Sequence, residues 1–235
     1  MANDVTEKKN LESDFENFFI RTKYLWIVLI CAVAVALAVI CTVLAVTSSN
    51  SKKASDFLED AIFNYESALA NKPDTEVADI ENEFIATLED YTATKGKNKN
   101  TIRVYMTLAK VYMDREDWEK SLENWQNASK CSKSSYLAGI SDFNAGVCCE
   151  QLGKTETALE CYKSAASNKN FHLVPHALFS QARVLENLGK STDAIEVYSK
   201  IIDTYADDEW ADLAKSRIIL LNAQKAKKTE ISVEE

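Results

Sequence analysis

Three cysteines and two histidines crowd one short stretch of the chain. In GVCCEQLGKTETALECYKSAA, which begins at Gly146, Cys148 and Cys149 are adjacent and Cys161 follows within the same run; His172 and His176 come next. Side chains of these types can hold a metal, carry redox chemistry or supply a general base. The spacing argues against a metal, because a zinc finger places its second cysteine about two to four residues from its first. Here the cysteines are adjacent or far apart, and Pro175 divides the histidines. A disulfide from Cys161 to Cys148 or Cys149, or one involving Cys131, stays open if the domain lies in an oxidising compartment. No phosphate-cradling glycine loop, nucleophile elbow or His-Glu-x-x-His helix occurs. The chain is therefore expected to be no enzyme, with no cofactor, no metal and no small-molecule substrate. The cysteines are read as small apolar packing residues.

Composition sets the frame in which these residues sit. The chain has 235 residues, 46% of them hydrophobic and 27% charged, with only 5 Gly and 2 Pro, a balance that favours helices over turn-rich sheets. A net charge of -9 argues against nucleic acid as a partner.

The run YLWIVLICAVAVALAVICTVLAV, Tyr24 to Val46, contains no charge, Gly or Pro. As a helix it would reach about 34 Å, enough to cross a hydrocarbon core of about 30 Å. Tyr24 and Trp26 stand at its start, where amphipathic rings favour the membrane interface. The run is too long for a cleaved signal and lacks a small-x-small cleavage site, and Ile40 before Cys41 excludes a lipobox. Lys8, Lys9, Arg21 and Lys23 precede it, and Lys52 and Lys53 follow. That bias places the N-terminus in the cytoplasm and the rest across the membrane. Residues 1–23 are then a short cytoplasmic segment, 24–46 a single transmembrane helix, 47–54 a polar linker, 55–225 a helical domain clearest over 101–225, and 226–235 a polar tail.

Two amphipathic helices open the helical domain. The first is capped by Ser55 and carries Phe57, Leu58, Ala61, Ile62, Tyr65, Ala68 and Leu69 on one face; Pro73 separates it from a second with Ile80, Phe84, Leu88 and Tyr91, ended by Gly96. From Thr101 the chain repeats itself. Ala109, Ser121, Trp125 and Ala128 recur as Gly146, Ala158, Tyr162 and Ala165, then as Ala182, Ala194, Tyr198 and Ile201. Gly153 and Gly189 hold one position in the last two copies, and Glu116 replaces them in the first. A half copy follows with Trp210, Leu213, Ala214 and Arg217. Each copy reads as two antiparallel helices in which small residues permit close approach and an aromatic fills the gap to the next pair. Such pairs stack into a solenoid.

YMTLAKVY with SLENWQNA, DFNAGVCC with ALECYKSA, and LFSQARVL with AIEVYSKI resemble the tetratricopeptide repeat (TPR). The resemblance implies an all-α, right-handed solenoid whose packing positions are Ala109, Ser121, Trp125, Gly146, Ala158, Tyr162, Ala182, Ala194 and Tyr198. It also implies a concave groove for proteins or peptides formed by the first helix of each pair. The groove positions it implies are Met106, Lys110, Met113, Phe143, Val147, Glu150, Phe179, Arg183 and Glu186. Met106, Phe143 and Phe179 depart from the cationic lining of repeats that grip chaperone tails.

With one N-terminal span, the architecture resembles YfgM-type bacterial envelope proteins. That resemblance implies an inner-membrane scaffold with its C-terminal domain in the periplasm, beside the Sec translocon or periplasmic chaperones. The alternative is an N-anchored receptor facing the cytosol, as in organelle protein import.

Overall fold

The computed structural model describes residues 2–70, 73, 76–131, 133 and 135–234, with side chains described between 20 and 227. The described residues form nine helices and no strand: α1 (Ala2–Leu69), α2 (Val77–Lys95), α3 (Ile102–Asp114), α4 (Trp118–Cys131), α5 (Tyr136–Gln151), α6 (Thr155–Ser167), α7 (Val174–Asn187), α8 (Ser191–Thr204) and α9 (Glu209–Glu234). The chain divides into two compact units, residues 1–53 and 54–235.

The first unit is helical throughout its described residues. From Ile20 the helix contains an 18-residue window of mean hydropathy 3.2, none of it buried, so it is long and apolar enough to cross a membrane. Its hydroxyls turn inward on the helix itself. Thr42 Oγ1 donates to the Ala38 carbonyl at 2.6 Å and Thr47 Oγ1 to the Leu44 carbonyl at 3.0 Å.

The polar stretch 47–54, expected as a linker, is helical, and Ser55 lies inside α1 rather than capping a new helix. Nothing in TSSNSKKA forces a break, since it contains neither Gly nor Pro. The segment 226–234, expected as a polar tail, continues α9 for the same reason.

The second unit is a stack of antiparallel pairs, α3 with α4, α5 with α6 and α7 with α8, followed by α9; the end of α1 and α2 precede them. One turn design joins each pair. In the α5–α6 turn Gly153 has φ +67°, and its N–H bonds to the Glu150 carbonyl at 3.0 Å while the Lys154 N–H reaches back to Cys149 at 2.8 Å. The α7–α8 turn repeats this with Gly189 at φ +72°, bonded to Glu186 at 2.8 Å, and Lys190 bonded to Leu185 at 2.9 Å. The α3–α4 turn does the same with Glu116 at φ 58°, a left-handed conformation that suits glycine far better.

The continuous core runs through the three pairs. Ala109, Trp125, Ala158, Tyr162, Ala182, Ala194 and Tyr198 are all buried in it, as are Cys148 and Cys149. Gly146 is required by close approach: a Cβ there would stand 2.7 Å from Cε1 of Tyr162. Ser121 is buried at the corresponding small position of the first pair, and its hydroxyl is satisfied by the Ala109 carbonyl at 2.8 Å. A second cluster holds Leu58 and Ala61 of α1, Phe84, Ile85 and Leu88 of α2, and Val104, Leu108 and Tyr112 of α3.

Candidate interaction surface

Each first helix contributes three positions to the surface implied by the repeat. Met106, Phe143 and Phe179 share one register; Lys110, Val147 and Arg183 share a second; Met113, Glu150 and Glu186 share a third. Lys110 is exposed and the other eight are half-buried.

The second and third registers hold neighbouring pairs together. Glu150 of α5 accepts the Tyr162 hydroxyl of α6 on Oε2 at 2.6 Å and takes both Arg183 branches of α7, Nη1 at 2.7 Å and Nη2 at 2.6 Å. Glu186 of α7 repeats the arrangement. It accepts the Tyr198 hydroxyl of α8 at 2.6 Å, Arg217 Nε of α9 at 3.1 Å and Arg217 Nη2. Each carboxylate thus bridges its own second helix to the next first helix. Burial, reinforced by the carboxylate hydrogen bond, pushes both tyrosine hydroxyls well above their ordinary range. Hydrogen bonding to the carboxylates likewise raises Arg183 and Arg217. Glu150, Arg183 and Glu186, read from the repeat as groove lining, are therefore spent largely on joining repeats.

The preceding junction lacks the whole device at once. Met113 stands where Glu150 and Glu186 stand, Trp125 where the tyrosines stand, and Val147 where Arg183 stands. All three pack against the main core. Trp125 Nε1 is left buried without a hydrogen-bond partner among the described residues, as expected where methionine offers no strong acceptor.

The first register opens an aromatic run. Phe143 of α5 lies 5.3 Å from Tyr162, 6.2 Å from Phe171 and 4.6 Å from His176 of α7, ring centre to ring centre. His176 stacks on Trp210 of α9 at 4.1 Å with the rings 10° from parallel, and Phe179 touches Trp210 at 5.0 Å and Tyr198 at 5.2 Å. Burial, helped by the Arg183 charge and opposed by Glu209, lowers the His176 pKa. Sequence reasoning placed Phe143 and Phe179 but missed His176 and Trp210 as their partners. The recurrence of Glu-x11-Tyr at 150/162 and 186/198 was the available signal for the clamps.

Among the described residues no group of three or more His, Cys, Asp or Glu is placed to hold an ion. All six cysteines are free thiols. Cys149 of α5 and Cys161 of α6 interact thiol to thiol, which holds Cys149 down and, together with burial, pushes Cys161 up. Cys148 donates to Ser121 Oγ at 3.3 Å, and burial raises its pKa. His172 is exposed and takes no part in the aromatic run.

Residues 106–172 and 152–209 match the tetratricopeptide repeat family model. A TPR repeat-containing protein of Treponema pallidum (strain Nichols) is 35% identical over 115 residues, 49% of this chain and 48% of that protein. A TPR repeat-containing protein of Methanocaldococcus jannaschii is 40% identical over 57 residues, 23% of this chain and 18% of that protein. The match thus spans half or less of the length of either relative. Among solved structures, a Podosopora anserina protein with nearly identical TPR-like repeats aligns at TM-score 0.53 and 12% identity, over 77% of this chain and 92% of that one. The apo form of RapI aligns at TM-score 0.51 and 16% identity, over 74% of this chain and 48% of that one. These likenesses show the fold: the chain is all-helical among its described residues and resembles TPR solenoids, and residues 106–209 match the tetratricopeptide repeat model.

Proposed function

We propose that this chain is a membrane-anchored TPR scaffold of the bacterial cell envelope. Its N-terminal helix would hold it in the inner membrane, and its solenoid would recruit a protein partner in the periplasm, beside the Sec translocon or a periplasmic chaperone. The apolar helix from Ile20 supports anchoring, and four cations before the span against two after it support an N-terminus in the cytoplasm. The relative in Treponema pallidum supports a bacterial setting for this kind of repeat.

The observation that carries the reading is the aromatic run Phe143–His176–Trp210–Phe179 on first helices of successive pairs. These half-buried rings offer apolar area with little side-chain entropy to lose. With Glu150, Arg183 and Glu186 committed to clamps, recognition falls to the first register and to Lys110. That surface suits an apolar side chain of an extended or helical segment better than a carboxylate tail.

Photo-crosslinking from Met106 and Phe179 in native membranes, followed by identification of the trapped protein, tests the scaffold. A translocon or chaperone component supports it; an integral cytosolic partner overturns the compartment. A reporter active only in the cytosol, fused after residue 50, tests topology separately: activity there would favour the cytosol-facing receptor.

A further inference from the structure

The first helix pair of the second unit carries the repeat spacing but does not close. Ala68, Ile80, Phe84 and Thr87 follow one another at intervals of 12, 4 and 3 residues, as do Ala109, Ser121, Trp125 and Ala128. In the three later pairs all twelve such residues are buried. In the first, Phe84 is buried, Ala68 and Ile80 are half-buried and Thr87 is exposed. The cause is steric. Ile80 stands where Ser121, Ala158 and Ala194 let the helices approach. Two stacked ring pairs also lie between α1 and α2, Phe57 on Tyr91 at 3.8 Å and Tyr65 on Phe84 at 4.5 Å. This bulk leaves a cleft of about 210 Å³ bounded by Tyr65, Ala68, Ile80, Phe84 and Thr87. A second cleft of about 440 Å³ shares Glu83 and Thr87 with it and continues past Tyr91 to Thr94. Together they form a trough that follows α2 for about 21 Å.

The first cleft is smaller than the roughly 300 Å³ at which small-molecule sites begin, and it suits one large apolar side chain. The length of the trough suits a helical or extended segment that would carry that side chain. The rim sets the sign of the segment. Asp79, Glu83 and Asp90 fall on one stripe of α2, and all three are exposed. Asp60, three residues after Phe57 and four before Asn64, borders the α1 side and is exposed as well. None of these four carboxylates is paired with a cation among the described residues. Their neighbours differ: Glu81 is held by Arg115 at 2.5 Å, and Glu89 accepts the Tyr112 hydroxyl at 2.6 Å. Lys95, at the far end, is the one cation among the lining residues. A cationic segment neutralises this rim, whereas an acidic one is repelled by it.

We propose that the α1–α2 trough is a docking site for a cationic amphipathic segment of another protein. One apolar side chain enters between Ala68 and Phe84, and lysines or arginines lie over Glu83 and Asp90. This surface shares no residue with the aromatic run of Phe143, His176, Phe179 and Trp210, so it goes beyond the recruitment proposed above and does not depend on it.

The probe is a fluorescent helical peptide of about fourteen residues, with leucines along one face and lysines beside them. A control peptide has glutamate in place of every lysine. Anisotropy is titrated with the full chain in an uncharged detergent, against the detergent alone. The lysine peptide should bind at least about tenfold more tightly than the glutamate peptide, and high salt should weaken it. Glu83→Lys/Asp90→Lys should abolish that preference. Glu59→Lys/Glu66→Lys makes the same change in net charge on the side of α1 away from the trough, and should leave binding unchanged. Thr87→Phe, which puts bulk into both clefts, should weaken the lysine peptide too. Circular dichroism of each variant should match the wild type, because all the substituted side chains are exposed. Equal losses in the two charge-reversed variants would mean that net charge alone attracts the peptide, and would overturn the proposal. So would binding that survives Thr87→Phe, or no binding beyond that to detergent. Displacement of the peptide by added Glu83→Lys/Asp90→Lys chain, which does not itself bind it, would assign the trough to a second copy of this chain and overturn the foreign partner.

Discussion

Arg183 and Glu150, 33 residues apart, meet as a two-branched ion pair that fastens one helix pair to the next. The Arg183 side chain is 43% exposed and Glu150 19%, so solvent screens the pair. A double-mutant cycle of Glu150→Ala and Arg183→Ala, read by thermal or chemical denaturation, should give a coupling of about 1 kcal/mol that shrinks with salt.

The apolar junction makes the converse prediction. Met113→Glu, Trp125→Tyr and Val147→Arg should each destabilise alone, since each puts a misfit into a packed apolar site. Combined, they rebuild the clamp seen at Glu150–Tyr162–Arg183. The triple variant should be more stable than the sum of the singles by about 1–3 kcal/mol. Simple additivity would mean that the backbone at this junction does not match the other two.

The left-handed turn residue gives a cleaner case. Glu116 adopts φ 58° where Gly153 and Gly189 stand in the later turns, and the turn hydrogen bonds are the same. Glu116→Gly should therefore stabilise the chain by about 0.5–1 kcal/mol, and Gly153→Ala should cost about as much. Added bulk at Gly153 meets nothing within 4 Å, so strain rather than collision sets the cost. Melting temperatures of the two variants moving in the same direction would refute this account.

The repeat register was legible because its signals are local and steric. Small residues, an aromatic and a turn glycine recur at fixed intervals; the structure packs the first two in the core and uses the glycine for a left-handed turn. The clamps were harder to read. Glu150 and Arg183 look like solvated groove charges until α7 is laid against α5, and only the third dimension makes them partners. His176 was passed over for a related reason: a lone histidine beside Pro175 gives no hint that Phe143 and Trp210 lie on either side of it. The helical backbone of residues 47–54 was not legible from their polar composition, although no helix breaker is present there.

Tyr162 and Phe143 touch, yet their truncations should differ. Tyr162 is 1% exposed and anchors the core; Tyr162→Ala should cost about 3–5 kcal/mol. A purely groove-lining Phe143 would be dispensable for stability, but its ring packs against Tyr162, Phe171 and His176. Phe143→Ala should accordingly cost about 1–2 kcal/mol, through lost area and ring contacts, as well as weaken a bound partner. The opposite ranking in denaturation would show that the groove and core faces of α5 have been exchanged.

His176 gives the stack a pH dependence. The ring lies between Phe143 and Trp210, and burial with the nearby Arg183 charge makes the folded chain bind its proton more weakly than the unfolded chain does. Acid therefore favours unfolding. The stability contributed by neutral His176 is complete above the ordinary histidine value of about 6.5 and is lost as pH falls from there through the lower folded value. His176→Phe keeps an aromatic ring between its neighbours but cannot titrate. Between about pH 7 and about pH 5, the melting temperature of the wild type should fall further than that of His176→Phe. Glu209, which opposes the shift, supplies a control: Glu209→Gln should widen the gap between the two curves, because removing the nearby carboxylate lowers the His176 pKa further. Parallel curves for the wild type and His176→Phe would mean that the stacked ring opens to solvent before it is protonated.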